Sequence, residues 1–247
     1  MSRCGRLVLV LGLIPAMFTG NALAQWDAGS SLAMSNNTGM FMQGYLGTMN
    51  LNKSVEAGNR KRSGSGYAGE ASKPAARRMK IAYDRSVSQE ANRSYIGDVR
   101  SGYGDGIANA FAAEFESKDV RTAFSEIVRP YGLRLDDYGD VFAGYITIMW
   151  SIANQAPAPR AAQIRALSDQ ASAVFANGFG NDPRQRQMDA ERMMYEAVAA
   201  TYGREEMKRV GDRAGLVRMA GQARQKFLRS GMDLRAMVFT DRGLLRR

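Results

Sequence analysis

The sequence predicts an all-α fold: a single domain of six or seven helices over residues 83–247, with a buried central helix, behind a flexible basic arm. Three observations carry this. From about Asp84 onward apolar residues recur three and four positions apart, the repeat that lines one face of an α-helix. Capping residues and glycines punctuate that repeat at helix-length intervals. The stretch 136–154 is apolar around nearly its whole circumference, and such a helix has to be buried.

Asp84 is placed to cap a first helix carrying Val87, Ala91, Tyr95 and Val99 at spacings of four. Asp105 or Gly106 opens a second, with Ile107, Phe111 and Phe115 on one face. A third runs from Lys118 to Tyr131 on Val120, Phe124, Ile127 and Val128, and Pro130 and Gly132 end it. The fourth, from Asp136 to about Asn154, holds Val141, Phe142, Tyr145, Ile146, Ile148, Met149, Trp150 and Ile152. Its length suits a core helix and falls short of the ~20 residues a bilayer demands. After the stiff break Ala156-Pro157-Ala158-Pro159, a fifth helix carries Ile164, Leu167, Ala171, Val174 and Phe175. Asp182-Pro183 is an N-cap followed by proline at the first helical position, so it opens a sixth with Met188, Tyr195, Val198, Ala199 and Tyr202. A last helical stretch from about Glu205 to Arg229, broken near Gly211 or Gly215, stops at Ser230-Gly231. The tail contains Met237-Val238-Phe239-Thr240 and reads as an extended segment.

The first 24 residues follow the grammar of a secretory signal peptide. Met1-Ser2-Arg3-Cys4-Gly5-Arg6 is a basic start, Leu7 to Phe18 an apolar run, and Ala22-Leu23-Ala24 a small-residue cleavage site that leaves Gln25 first. Cleavage between Ala24 and Gln25 places the protein in the periplasm or the medium, with no transmembrane segment remaining. It removes Arg3 and Arg6, leaving 32 basic against 24 acidic residues, and it removes the sole cysteine, so no disulfide forms within the mature chain. The chain has no histidine. Ser-His-Asp and Cys-His catalysis are thereby excluded in their usual forms, as are zinc, copper and haem sites built on imidazole or thiolate. No S-x-x-K, G-x-S-x-G or EF-hand loop occurs, and no cofactor is implied.

Residues 25–82 form a low-complexity arm rich in Gly, Ser, Asn and basic side chains. Gly64-Ser65-Gly66-Tyr67-Ala68-Gly69 matches the dinucleotide-binding fingerprint G-x-G-x-x-G. Its context does not. Asn59-Arg60-Lys61-Arg62-Ser63 upstream is no buried strand, and Pro74 downstream interrupts the helix that a pyrophosphate needs. The segment reads as a Gly/Ser linker, and no nucleotide is expected. Arg60, Lys61, Arg62, Arg77, Arg78 and Lys80, interleaved by Tyr67 and Tyr83, are candidate contacts for a polyanion or an anionic membrane surface.

Within the helical region, Asp136, Asp137 and Asp140 fall in the first turn of the fourth helix, where carboxylates cap amides and oppose the dipole. Glu191 and Glu196 have arginine neighbours such as Arg192 and read as a solvated, ion-paired face. Trp150 reads as core. Two patterns stand out at the level of whole segments. One is Gly231-Met232-Asp233-Leu234-Arg235-Ala236-Met237-Val238-Phe239-Thr240-Asp241-Arg242-Gly243-Leu244. The other is Tyr131-Gly132-Leu133 followed by Asp140-Val141-Phe142-Ala143-Gly144-Tyr145 and Trp150. Over residues 83–245 they resemble a family of exported, all-helical bacterial proteins known only as a domain of unknown function. The resemblance implies export and a helical fold, and carries no catalytic residue with it.

Three functional classes fit these features. The first is a non-catalytic binding or interaction protein of the cell envelope, whose partner would be an envelope protein or an anionic surface. The second is a polyanion- or membrane-associated protein acting through the arm. The third is a carboxylate enzyme of cell-wall glycans, which needs two carboxylates facing one cleft ~5–9.5 Å apart.

Overall fold

A computed structural model describes residues 79–176 and 182–247. Seven α-helices and one short hairpin make up these residues, so the all-α expectation holds with a two-stranded addition at the end. The helices are α1 (Arg85–Tyr103), α2 (Asp105–Ser117), α3 (Val120–Val128), α4 (Tyr138–Ala153), α5 (Ala161–Phe175), α6 (Pro183–Val210) and α7 (Arg213–Arg229). Strands β1 (Met237–Thr240) and β2 (Gly243–Arg246) follow a 3₁₀ turn, Leu234–Ala236.

Aspartate starts most of these helices. Asp84, Asp119, Asp137, Asp182 and Asp212 are the N-caps of α1, α3, α4, α6 and α7, and each side chain accepts backbone N–H groups of the first turn. Those N–H groups have no intrahelical acceptor, which is why a short anionic side chain is favoured there. The expected break at Gly211 is real. Its φ of 74° lies in the left-handed region that glycine adopts freely, and α6 turns there into α7. Gly203 interrupts nothing; α6 runs through it for 28 residues.

The all-round apolar pattern of α4 has the consequence expected of it. Val141, Phe142, Ala143, Tyr145, Ile146 and Met149 are fully buried, and α5, α6 and α7 pack around them. Helix α3 comes close on another side. A Cβ on Gly144 would lie 2.9 Å from both Phe124 and Val128, so only glycine allows this approach. Helices α1 and α3 cover α6, and α2 lies on α1. Tyr95 of α1 stacks on Tyr195 of α6 with ring centroids 5.1 Å apart, and Phe111 and Phe115 of α2 close on Tyr95.

The hairpin pairs Met237 with Arg246 through Thr240 with Gly243 and packs on α5. Trp150 is half-buried, donates its indole N–H to the Met237 carbonyl at 3.1 Å, and meets Phe239 edge to face. Met79 and Ile81, at the start of the described residues, are buried in the core. Ile81 N–H donates to the Asp136 carbonyl and Tyr138 N–H to the Met79 carbonyl, which lays this segment beside the start of α4. No helix among the described residues is long and apolar enough to cross a membrane.

Buried Asp189 on α6 is poorly matched to its surroundings. It is 6% exposed; Oδ1 accepts from Gln185 at 2.9 Å, and Oδ2 has no hydrogen-bond partner among the described residues. Burial raises its pKa from 3.8 to about 6 against the opposing Gln185 hydrogen bond. Because the folded state holds the proton more tightly, folding is favoured below pH 3.8, and that advantage is lost as pH rises through about 6. A shift of this size corresponds to about 2–3 kcal/mol. Asp189→Asn should therefore stabilise the protein by up to that amount at pH 7.5, with the gain shrinking toward zero near pH 4. Urea unfolding at the two pH values measures this, and a gain independent of pH contradicts it.

Candidate functional site

Helix α7 has a charge pattern unlike the rest of the domain. Its 17 residues include Arg213, Arg218, Arg224, Lys226 and Arg229 and no acidic residue. Its apolar face, with Met219, Ala220, Ala223 and Phe227, is buried against α4 and α6. Arg218, Gln222, Gln225 and Arg229 follow one another three and four residues apart and, with Gly221 beside Gln222, form a stripe along one side. That stripe lines an open cleft of about 410 Å³, closed by Arg224, Lys226 and, from the 3₁₀ turn, Arg235. Five cationic side chains line the cleft and, among the described residues, no carboxylate does.

The cations are held differently. Arg224 donates two hydrogen bonds to Asp233, of 2.9 and 2.7 Å, and is neutralised there. Arg235 donates its Nε–H to the Ala153 carbonyl at the C-terminal end of α4, at 2.9 Å, and its charge has no carboxylate partner among the described residues. Arg218 lies 3.8 Å from Asp212, beyond hydrogen-bonding distance. Arg229 is exposed and forms no ion pair among the described residues. Three guanidinium groups thus remain available to an anion, and each offers a planar fork of donors suited to carboxylate, sulfate or phosphate oxygens.

Lys226 lines the cleft with its stem and turns its head inward. The side chain is 7% exposed; the ammonium donates to Glu196, itself 5% exposed, and lies 5.7 Å from the ring centre of Tyr145. Tyr145 donates its hydroxyl to the same Glu196 carboxylate at 2.7 Å. Burial pushes the Lys226 pKa down, against the pull of Glu196. Three helices, α4, α6 and α7, meet through this one carboxylate.

Glu191 and Glu196 therefore correct the expectation of a solvated face: both are buried. Glu191 accepts from Ser88 at 2.6 Å and from Gln187 at 2.9 Å, and Gln187 also binds the backbone of Asp84 through both ends of its amide. Arg192, the neighbour that suggested exposure, turns aside to Ser94 and Asp98 on α1. The three aspartates near α4 stay apart in their roles. Asp137 is the N-cap, Asp140 accepts from Ser168 and the Arg134 backbone, and Asp136 precedes the helix and pairs with Arg134 at 2.6 Å. Hydrogen bonds from Arg134 hold the Asp136 carboxyl below the usual range.

Of the candidate arm residues, Lys80 is exposed, and its carbonyl accepts from Arg186 at 2.7 Å. Arg60, Lys61, Arg62, Arg77 and Arg78 lie outside the described residues, as do Ala24 and Gln25. Sequence reasoning passed over Arg218, Arg229 and Arg235. The available signal was an amphipathic helix with five basic and no acidic residues. Among the described residues no three metal-ligating side chains converge. No protein-family model, curated protein or solved structure matches the chain.

Removing one partner of the buried pair strands the other charge. Lys226→Met and Glu196→Leu should each destabilise the protein by about 3–5 kcal/mol, whereas the double variant, which removes both charges, should lose far less than the two combined. Denaturant titration of the four proteins measures the coupling, and additive losses contradict it.

Proposed function

We propose that the chain is an exported, non-catalytic binding protein whose cleft along α7 takes an anionic ligand. One observation carries this: the guanidinium groups of Arg218, Arg229 and Arg235 line the cleft with no carboxylate at hydrogen-bonding distance among the described residues. Water screens isolated surface arginines, but several of one sign around a concave site focus the potential and attract an anion together. The cleft's composition offers no acid and base pair for glycoside hydrolysis. It also gives the envelope-binding reading a defined ligand surface built from residues between Arg218 and Arg235. Export rests on the basic start, the apolar run and Ala22-Leu23-Ala24.

Arg218 and Arg229 are exposed, so changing both to Gln should move stability by no more than about 0.5 kcal/mol per site. The same double change should weaken pyrophosphate binding at low salt at least about tenfold, each lost charge-assisted hydrogen bond accounting for ~1.5–3 kcal/mol. Calorimetric titration measures it, and equal binding by both proteins contradicts the reading. N-terminal sequencing of protein recovered outside the cytoplasm should begin at Gln25; a chain that begins at Met1 contradicts export.

A further inference from the structure

We infer that the anion bound along α7 is an acidic oligosaccharide, lying lengthwise in the cleft with charged groups at both ends. This rests on the anion-binding reading above and concerns the ligand's chemical class.

Charge placement is the first argument. Arg218 and Arg229 both line the cleft and stand at opposite ends of the stripe along α7. Eleven residues of α-helix separate Arg218 from Arg229, a rise of ~16 Å. A single phosphate or carboxylate reaches one end only, so a ligand that engages both carries spaced charges. The middle is the second argument. Between the charged ends the stripe presents Gly221, Gln222 and Gln225, which are neutral. The primary amide of exposed Gln225 donates and accepts hydrogen bonds and matches hydroxyl groups, whereas the side-chain oxygen of Gln222 is buried. The glycine adds room. An alanine in a helix interior is favoured over glycine by ~1 kcal/mol. A Cβ on Gly221 would meet no protein atom within 4 Å, so packing does not require glycine there. Gly144 is the contrast, since Phe124 and Val128 fill the space its absent Cβ leaves.

The lining also argues against other polyanions. Among the described residues no aromatic side chain lines the cleft, and sequence-tolerant binding of single-stranded nucleic acid relies on bases stacking on aromatic rings. No aliphatic residue among those described lines it either, so an acyl chain would meet only the methylene stems of arginine, lysine and glutamine side chains. What remains is a hydrophilic chain with spaced anionic groups, the description of a uronate- or sulfate-bearing glycan.

The test titrates the full-length chain with four probes: an oligogalacturonate ladder from monomer to octamer, sulfated heparin oligosaccharides, inorganic tripolyphosphate and a single-stranded oligothymidylate. Affinity should climb along one of the sugar series until the ligand spans the cleft, then level off. Arg218→Gln and Arg229→Gln should each lower the plateau affinity about tenfold, as expected for a charge-assisted contact. Gly221→Leu leaves every charge in place and adds a side chain to the floor. It should fold at least as stably as the wild type and lose sugar binding by a similar factor. Tripolyphosphate binding as tightly as the longest sugar, or oligothymidylate binding more tightly, overturns the ligand class and leaves the anion cleft standing. Sugar binding unchanged by all three variants belongs elsewhere in the chain and overturns the inference. No binding of any probe overturns the anion-binding reading with it.

Discussion

A lysine ammonium inside a helical core is tolerable only beside a carboxylate, and that requirement determines where α7 lies. Moving either charge out of water costs several kcal/mol, which a close partner and further hydrogen bonds offset. Lys226 meets Glu196 of α6, and Glu196 is completed by the hydroxyl of Tyr145 on α4. An apolar contact would hold α7 against the core but would let it slide or rotate. An ion pair with a shared hydroxyl does not, because a shift of one residue would strand a buried charge. Register specification of this kind is the best-attested role of buried polar groups.

Much of the surface chemistry follows from that fixed register. With Lys226 and Phe227 facing inward, the helical repeat turns Arg218, Gln222, Gln225 and Arg229 toward the cleft. The 3₁₀ turn after α7 returns to the end of α4, where Arg235 binds the Ala153 carbonyl. A cation suits this position, since the carbonyls that end α4 carry partial negative charge. Arg224 and Asp233 secure the same turn from the other side. The cleft is thus a helix face packed on the core with a rim tethered by hydrogen bonds.

Most of the fold was legible from local signals. Asp84 and Asp182 announce their helices because an N-cap acts through side chains a few residues away, and Gly211 announces a break because its backbone conformation is a property of that residue. The hairpin was half legible: Met237–Thr240 reads as extended, but its partner strand depends on packing against α5 and Trp150. The buried carboxylates were misread for a physical reason. Ion pairing is a statement about space, and the residue that neutralises Glu196 lies 30 positions away, while adjacent Arg192 points to another helix. The periodicity held a warning, because Glu191 is four residues before Tyr195 and shares its face. The cleft was the least legible feature, since Arg218 and Arg235 meet around one space only after the chain has turned back on α4.

The central claim is that the α7 face holds an anion through Arg218, Arg229 and Arg235. Side-chain Nε–Hε resonances of arginine report this directly, because each shifts when its guanidinium engages an oxyanion. A nitrogen-edited NMR titration of the full-length chain with an anionic oligosaccharide should move the Arg218 and Arg229 signals together, with one saturation curve, and Arg235, whose Nε–H donates to the Ala153 carbonyl, should follow the same curve at its Nη groups. The Arg224 signal, already engaged by Asp233, should move little. Shifts confined to arginines outside α7 and the 3₁₀ turn, with these three unchanged at saturation, would contradict the account.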